Sequence, residues 1–194
     1  MITPERAAKL DAVLAKRQST LTVVFENVHD PHNVSAVIRS CDAVGVLEAH
    51  GVYDGRQAFP KLGAKSSASA RKWVDLHMHD SISACYENLR ARGFRIYTTH
   101  MSSDAVSLYE LDLTQPVALV FGNEHDGVSD EARELADGNF LIPQVGVVQS
   151  LNISVACAVS LYEAMRQRLA KGMYSERQFS DAEFERLRHD WYMR

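Results

Sequence analysis

Short apolar runs alternate with helical stretches along most of the chain, and this constrains the fold more than any other property. LTVVFENV from Leu21 and PVALVFG from Pro116 are nearly continuous in apolar residues, as strands covered on both faces are. VLEAHGVY from Val46, WVDLHMH from Trp73, FRIYTTH from Phe94 and FLIP from Phe140 read as further strands. Between them lie helical patterns. VSAVIRSCDAV puts Val34, Val37, Ile38 and Cys41 on one face, with Asn33 as its cap and Gly45 ending it. ISACYENLRARG ends at Gly93, SDEARELAD opens with acids, and Asn152 to Ala170 is the last core helix, closed by Gly172. A β-then-α order predicts an α/β fold with a mainly parallel sheet and helices on both faces.

The 194 residues fit one domain, 46% hydrophobic, by the usual prior of ~100–200 residues per domain. We assign residues 1–194 to it, with 1–19 as an N-terminal helical extension and 173–194 as a C-terminal one. In the first, Thr3 caps a helix that starts at Pro4 and continues to Arg17. GRQAFPKLGAKSSASARK is expected to be a mobile loop with one helical turn. No apolar run approaches a membrane span, and the N-terminus lacks a signal-peptide core. Cys41, Cys85 and Cys157 are scattered, so neither a disulfide framework nor a zinc ribbon is indicated. The expected location is the cytoplasm, with no membrane partner.

In parallel sheets ligands sit at the carboxyl ends of strands. The polar loops there are DPHN, TTHMSS, GNEHDGVS and PQVGVVQSLN. No G-x-G-x-x-G or G-x-x-x-x-G-K-S/T occurs, so the common nucleotide cradles have no support. In FGNEHDGVS, Gly122 lets a ligand approach the backbone, Glu124 is a carboxylate at a strand end, and Ser129 caps the next helix. Ser35, Arg39 and Asp42 share the polar face of the Asn33 helix, where Arg39 could simply pair with Asp42. Gln149, Ser150 and Asn152 crowd the mouth of the last core helix, which needs only one cap. His77 and His79 lie two apart, with no cysteine or carboxylate at ligand spacing; they read as surface histidines, and no metal is expected.

Net charge is −4, which taken alone argues mildly against a nucleic-acid partner. The distribution differs. Gly55 to Val74 holds five basic residues and no acid, and Arg166, Arg168, Lys171 and Arg177 form another basic cluster. Lys16 and Arg17 lie near the N-terminus.

Three patterns occur in order: N-x-x-A-x-x-R-x-x-x-A-x-G from Asn33, FG-x-E-x-x-G-x-S from Phe121, and IP…G-x-x-x-SLN-x-SVA from Ile142. Together they resemble the SpoU (SPOUT superfamily) RNA ribose 2′-O-methyltransferases over essentially the whole chain. The similarity is greatest to members acting on guanosine 18 of bacterial tRNA. The resemblance implies a C-terminal trefoil knot, a homodimer, tRNA as partner and S-adenosylmethionine as cofactor. It carries cofactor contacts to Thr99, Gly122, Ile142 and Leu151. It carries active-site roles to Asn33, Arg39, Glu124, Ser150 and Asn152. Arg39 would be the base or, because a guanidinium holds its proton tightly, a cation that stabilises the developing alkoxide. RNA contacts are expected at Lys16, Arg17, Arg166 and Arg168. The alternatives are another tRNA or ribosomal RNA ribose, or a non-catalytic RNA-binding module of this fold.

Overall fold

The structure is a computed structural model that describes residues 2–55, 59–60, 70–148 and 150–194. Among these residues are seven strands, β1 (Leu21–Glu26), β2 (Glu48–Val52), β3 (Asp75–His79), β4 (Arg95–Thr99), β5 (Val106–Ser107), β6 (Val117–Phe121) and β7 (Gly138–Leu141). They form one sheet in the order β3-β2-β1-β6-β4-β7-β5, and every pairing is parallel. β1 and β6 are buried along their whole length. Their continuous apolar runs follow from that position, because helices cover both faces of the sheet.

The helices are α1 (Pro4–Leu14), α2 (Pro31–Val44), α3 (Ile82–Ala91), α4 (Asp130–Leu135), α5 (Ile153–Ala170) and α6 (Asp181–Met193). α2 and α5 pack together on one face, over Val23, Phe25, Leu119 and Phe121. α3 and α4 cover the other face, over Val24, Ile96, Ala118 and Val120. These two residue sets alternate along the strands, as the two-residue period of a strand requires. α1 and α6 pack against each other through Leu14, Phe184, Leu187 and Trp191. Among the described residues no helix is long and apolar enough to cross a membrane.

Chain direction across the sheet reverses at β1. β2 and β3 lie to one side, and β6, β4, β7 and β5 to the other. A crevice opens at such a switch point, outside the carboxyl ends of the strands. α2, the β6–α4 loop and the start of α5 all meet there.

Several boundaries differ from those the sequence predicts. α1 stops at Leu14, and the chain then turns so that Arg17 enters the interior. α2 starts at Pro31, and its cap is Asp30, whose side chain accepts the His32 N–H at 2.8 Å. Asn33 is therefore inside the first turn, with its side chain released from capping. FLIP yields a strand that starts at Gly138 and ends before Ile142. The two-residue β5 has no periodicity to announce it. Most of the basic loop expected to be mobile lies outside the described residues; its end, Ala70–Lys72, is a 3-10 turn.

Candidate active site

The mouth of α5 is built from side-chain amides. Asn152 caps the helix: its Oδ1 accepts the Ser154 N–H at 2.9 Å and the Ser154 hydroxyl at 2.6 Å. Its Nδ2 donates to Asn33 Oδ1 at 3.1 Å. Asn33 Nδ2 in turn donates to Glu124 Oε1. The orientation of each amide follows from its neighbours. An ionised carboxylate only accepts, so Asn33 must turn its NH₂ toward Glu124. Its oxygen then needs a donor, which Asn152 supplies. The Asn152 oxygen is left to receive the helix N-terminus, as an N-cap must. Asn33 is buried, while Glu124 and Asn152 are exposed at the rim. Residues 91 and 119 positions from Asn33 thus meet at a single side chain.

The Glu124 loop is fixed at both ends. Ser129 caps α4 by accepting the Ala132 N–H at 3.1 Å, and its own N–H donates to the buried Glu26 carboxylate at 2.8 Å. Asn123 and Gly127 bridge each other across the turn. Gly122 is necessary for a reason that revises the sequence reading. A Cβ there would fall 1.8 Å from the Gly127 carbonyl carbon and 2.1 Å from the Val128 nitrogen. The missing side chain makes room for the returning backbone of the same loop, and the ligand-facing side is its consequence. Gly127 itself adopts φ 69°, the left-handed region.

A cleft of about 890 Å³ opens beside this loop. Its lining includes all four residues to which cofactor contacts are carried: Thr99, Gly122, Ile142 and Leu151. Glu124, Ser150 and Asn152 lie on it as well. Thr99 ends β4 and spends its hydroxyl on the Val120 carbonyl at 3.1 Å, so it stiffens the floor of the cleft. Among the described lining residues Glu124 and Asp126 are carboxylates, and none is lysine or arginine. The electrostatics favour a cationic ligand such as a sulfonium. Apolar Phe140, Ile142, Leu151 and Ile153 offer walls for a flat ring. The shape and donor set fit S-adenosylmethionine.

Arg39 stands apart from that lining. It is exposed on α2, six residues beyond Asn33, a rise of about 9 Å. Among the described residues no hydrogen bond or ion pair engages it. Asp42, the partner that helical spacing offered, is taken by Arg17. The Arg39 cation is thus left available to an incoming group.

Two of the four basic residues assigned to RNA lie inside the fold. Arg17 is fully buried; it pairs with Asp42, donates to the Val46 carbonyl at 2.9 Å and sits over the Trp191 ring. Arg168 is fully buried too, with five hydrogen bonds to Leu113, Gln18, Thr20 (twice) and Gln115. Burial pushes its guanidinium down to about 10. Both serve as struts between segments distant in sequence and cannot reach a phosphate without unfolding. Charge counting cannot see this, because the acceptors are mainly backbone carbonyls. Lys16 and Arg166 are exposed, the latter holding Glu163 at 2.8 Å.

Other contributors to the site went unsignalled. Tyr53 is buried near Glu124 and donates to the Val28 carbonyl at 2.7 Å; burial and then the Glu124 charge push its phenol upward. His100 lines the cleft, held down by burial and by Arg133, which lies 2.9 Å from its Nε2.

The SpoU rRNA Methylase family matches residues 20–162, which contain all three sequence patterns. The tRNA (guanosine(18)-2′-O)-methyltransferase of Thermus thermophilus is 46% identical over 189 residues, 97% of this chain and 96% of its own. The crystal structure of the Aquifex aeolicus TrmH/SpoU tRNA modifying enzyme superposes with a TM-score of 0.91 at 40% identity, covering 97% of this chain and 95% of that one. The SpoU methyltransferase AviRb from Streptomyces viridochromogenes, solved in complex with AdoMet, gives 0.70 at 29% identity, covering 81% and 64%.

Proposed function

This chain belongs to the SpoU family of RNA methylases, and from that membership we propose that it methylates the ribose 2′-hydroxyl of guanosine 18 in tRNA, with S-adenosylmethionine as methyl donor. The observation that carries the reading is the bonded trio Glu124–Asn33–Asn152 at the rim of a cleft with no lysine or arginine among its described lining residues. When bound, S-adenosylmethionine supplies a methyl group on a sulfonium, which is electrophilic without further activation.

The remaining work is alignment and charge. The backbone at Gly122, Ile142 and Leu151 would hold the cofactor, and Thr99 would brace the floor. A ribose hydroxyl is a weak nucleophile and must lose its proton as it attacks. Arg39 meets that need as a cation near the developing alkoxide, while the proton leaves to water or an RNA phosphate. Glu124 and Asn33 fix each other's orientation, so Glu124 acts as a holder rather than as the base. Ser150 and Asn152 present hydroxyl and amide dipoles to the ribose, and Asn152 ties that surface to the α5 N-terminus.

The working unit is proposed to be a homodimer in the cytoplasm, with each chain one domain and residues 1–19 and 173–194 as its helical extensions. Val155, Tyr162 and Leu169 lie on one line of α5, two turns apart, and are 47%, 55% and 52% exposed. Val147 and Val148 of the preceding loop are exposed as well. Apolar groups aligned in this way are costly to leave in water. Lys16 and Arg166, with Arg71 and Lys72, are among the exposed cations placed to meet tRNA phosphates. Incubating the protein with methyl-labelled S-adenosylmethionine and bulk tRNA tests the reading. Label should enter tRNA; an RNA-binding module without activity would retain tRNA and transfer none.

A further inference from the structure

Away from the cleft, β2 and β3 present ligating side chains to α3. Strand alternation puts Glu48 and His50 on this face together with Asp75, His77 and His79. The register sets His50 beside His77 and Val52 beside His79. The His50 ring stacks on both histidines, with centroids 5.3 Å and 5.2 Å away. His50 Nδ1 lies 2.9 Å from His79 Nε2. From α3, Cys85 brings its sulfur to the same place. One ligand atom from each of His50, His79 and Cys85 falls within 4.8 Å of the others. The sequence offered only His77 and His79; His50 and Cys85 arrive through the fold.

We propose that His50, His79 and Cys85 bind a zinc ion, with water in the fourth position. Imidazole and thiolate are the ligands of borderline and soft ions, and the trio supplies no oxygen that would favour magnesium or calcium. Tetrahedral zinc with Zn–N of ~2.0–2.1 Å needs its nitrogens roughly 3.3 Å apart. The two rings need open by only a few tenths of an ångström. The surroundings already resemble those of a ligating histidine. His50 is fully buried, and its Nε2 lacks a hydrogen-bond partner among the described residues. That nitrogen lies 3.7 Å from Glu48 Oε1. Glu48 is anchored by Arg92 and by His77 at 3.4 Å. Drawn in by the several tenths of an ångström that a hydrogen bond requires, this carboxylate would hold the proton on Nε2 and leave the Nδ1 lone pair for the metal. On binding, His79 carries its proton on Nδ1 and the Cys85 thiol proton passes to solvent. His79 is half-buried and shares its face with exposed His77, with exposed Asp80 at the strand end, which gives the ion a way in.

The test uses the full chain and cobalt(II) as the spectroscopic probe. Titration should give one cobalt per chain, with thiolate-to-cobalt absorption in the near ultraviolet and tetrahedral bands in the visible, all displaced by zinc. His79→Asn and Cys85→Ser should each abolish the thiolate band. His77→Asn, outside the ligand trio, should keep it. Glu48→Gln should weaken binding by roughly 10-fold or more. His79 sits at the rim, so its variant keeps the test open should Cys85→Ser fold poorly. The absence of a band in the wild type overturns the proposal. So does a band that survives in both ligand variants, since it would then come from Cys41 or Cys157. Neither outcome depends on methyl transfer.

Discussion

At the scale of single residues, the same side-chain type divides into opposite roles according to burial. Arg39 is exposed and, among the described residues, unengaged, and its removal should leave the fold and the cleft unchanged. Arg39→Ala should lower kcat by roughly 10²–10³-fold, the usual loss when one charge-stabilising group is removed. Calorimetry should find S-adenosylmethionine affinity nearly unchanged, and a mutant with wild-type turnover would remove Arg39 from the mechanism. Arg168 is the converse. Arg168→Met leaves the carbonyls of Leu113, Thr20 and Gln115 without their donor. Each buried carbonyl left unsatisfied costs about 1–3 kcal/mol, so thermal unfolding should move well down in temperature. The salt dependence of tRNA binding should stay as it was. Lys16→Ala with Arg166→Ala should behave in the opposite way. The melting temperature should hold, and the salt slope should flatten by about one unit for each phosphate no longer neutralised. An unchanged slope would place the RNA surface elsewhere, with Arg71 and Lys72 as the next pair to test.

At the scale of elements, the site depends on where loops are pinned. Gly122→Ala drives a Cβ into the backbone of Gly127 and Val128. The loop must shift by about 1 Å or more, and such a displacement costs catalysis on the order of 100-fold. kcat/KM should fall by that scale, together with S-adenosylmethionine affinity; an alanine variant with normal affinity would show that the loop has slack. Much of this framework is legible in the sequence. The strand runs, the α5 cap at Asn152 and the glycine stops after α2, α3 and α5 follow from local rules that depend on neighbouring residues alone. The rest is set by long-range contacts. Asn33 reads as a cap because Asn caps helices, yet Asp30 outcompetes it and frees its amide for Glu124 and Asn152. Arg17 and Arg168 read as surface charge because their acceptors are backbone carbonyls that no side-chain pattern reveals. Gly122 reads as a ligand contact because the returning loop backbone that fills its Cβ position lies five residues on. His50 and Cys85 join His79 only through strand register and helix docking. The knot implied by the family resemblance is a matter of chain path, which periodicity does not encode.

At the scale of the whole molecule, α5 joins the site to an exposed apolar line. Its first residue follows the Asn152 cap, one side packs on α2, and Val155, Tyr162 and Leu169 face outward. Light scattering should give twice the mass of the chain at micromolar concentration, and Tyr162→Glu should shift the species toward monomer. A wild-type monomer at that concentration would leave the line without a partner of its own kind. The central claim concerns one ribose. It is tested most directly by incubating unmodified tRNA with the protein and S-adenosylmethionine and then mapping 2′-O-methylation nucleotide by nucleotide. Wild-type protein should place a methyl group on guanosine 18 and leave the other riboses unmodified, and Arg39→Ala should modify guanosine 18 roughly 10²–10³-fold more slowly. Methylation at a different ribose, or at guanosine 18 at the wild-type rate with the Arg39→Ala protein, would contradict the account.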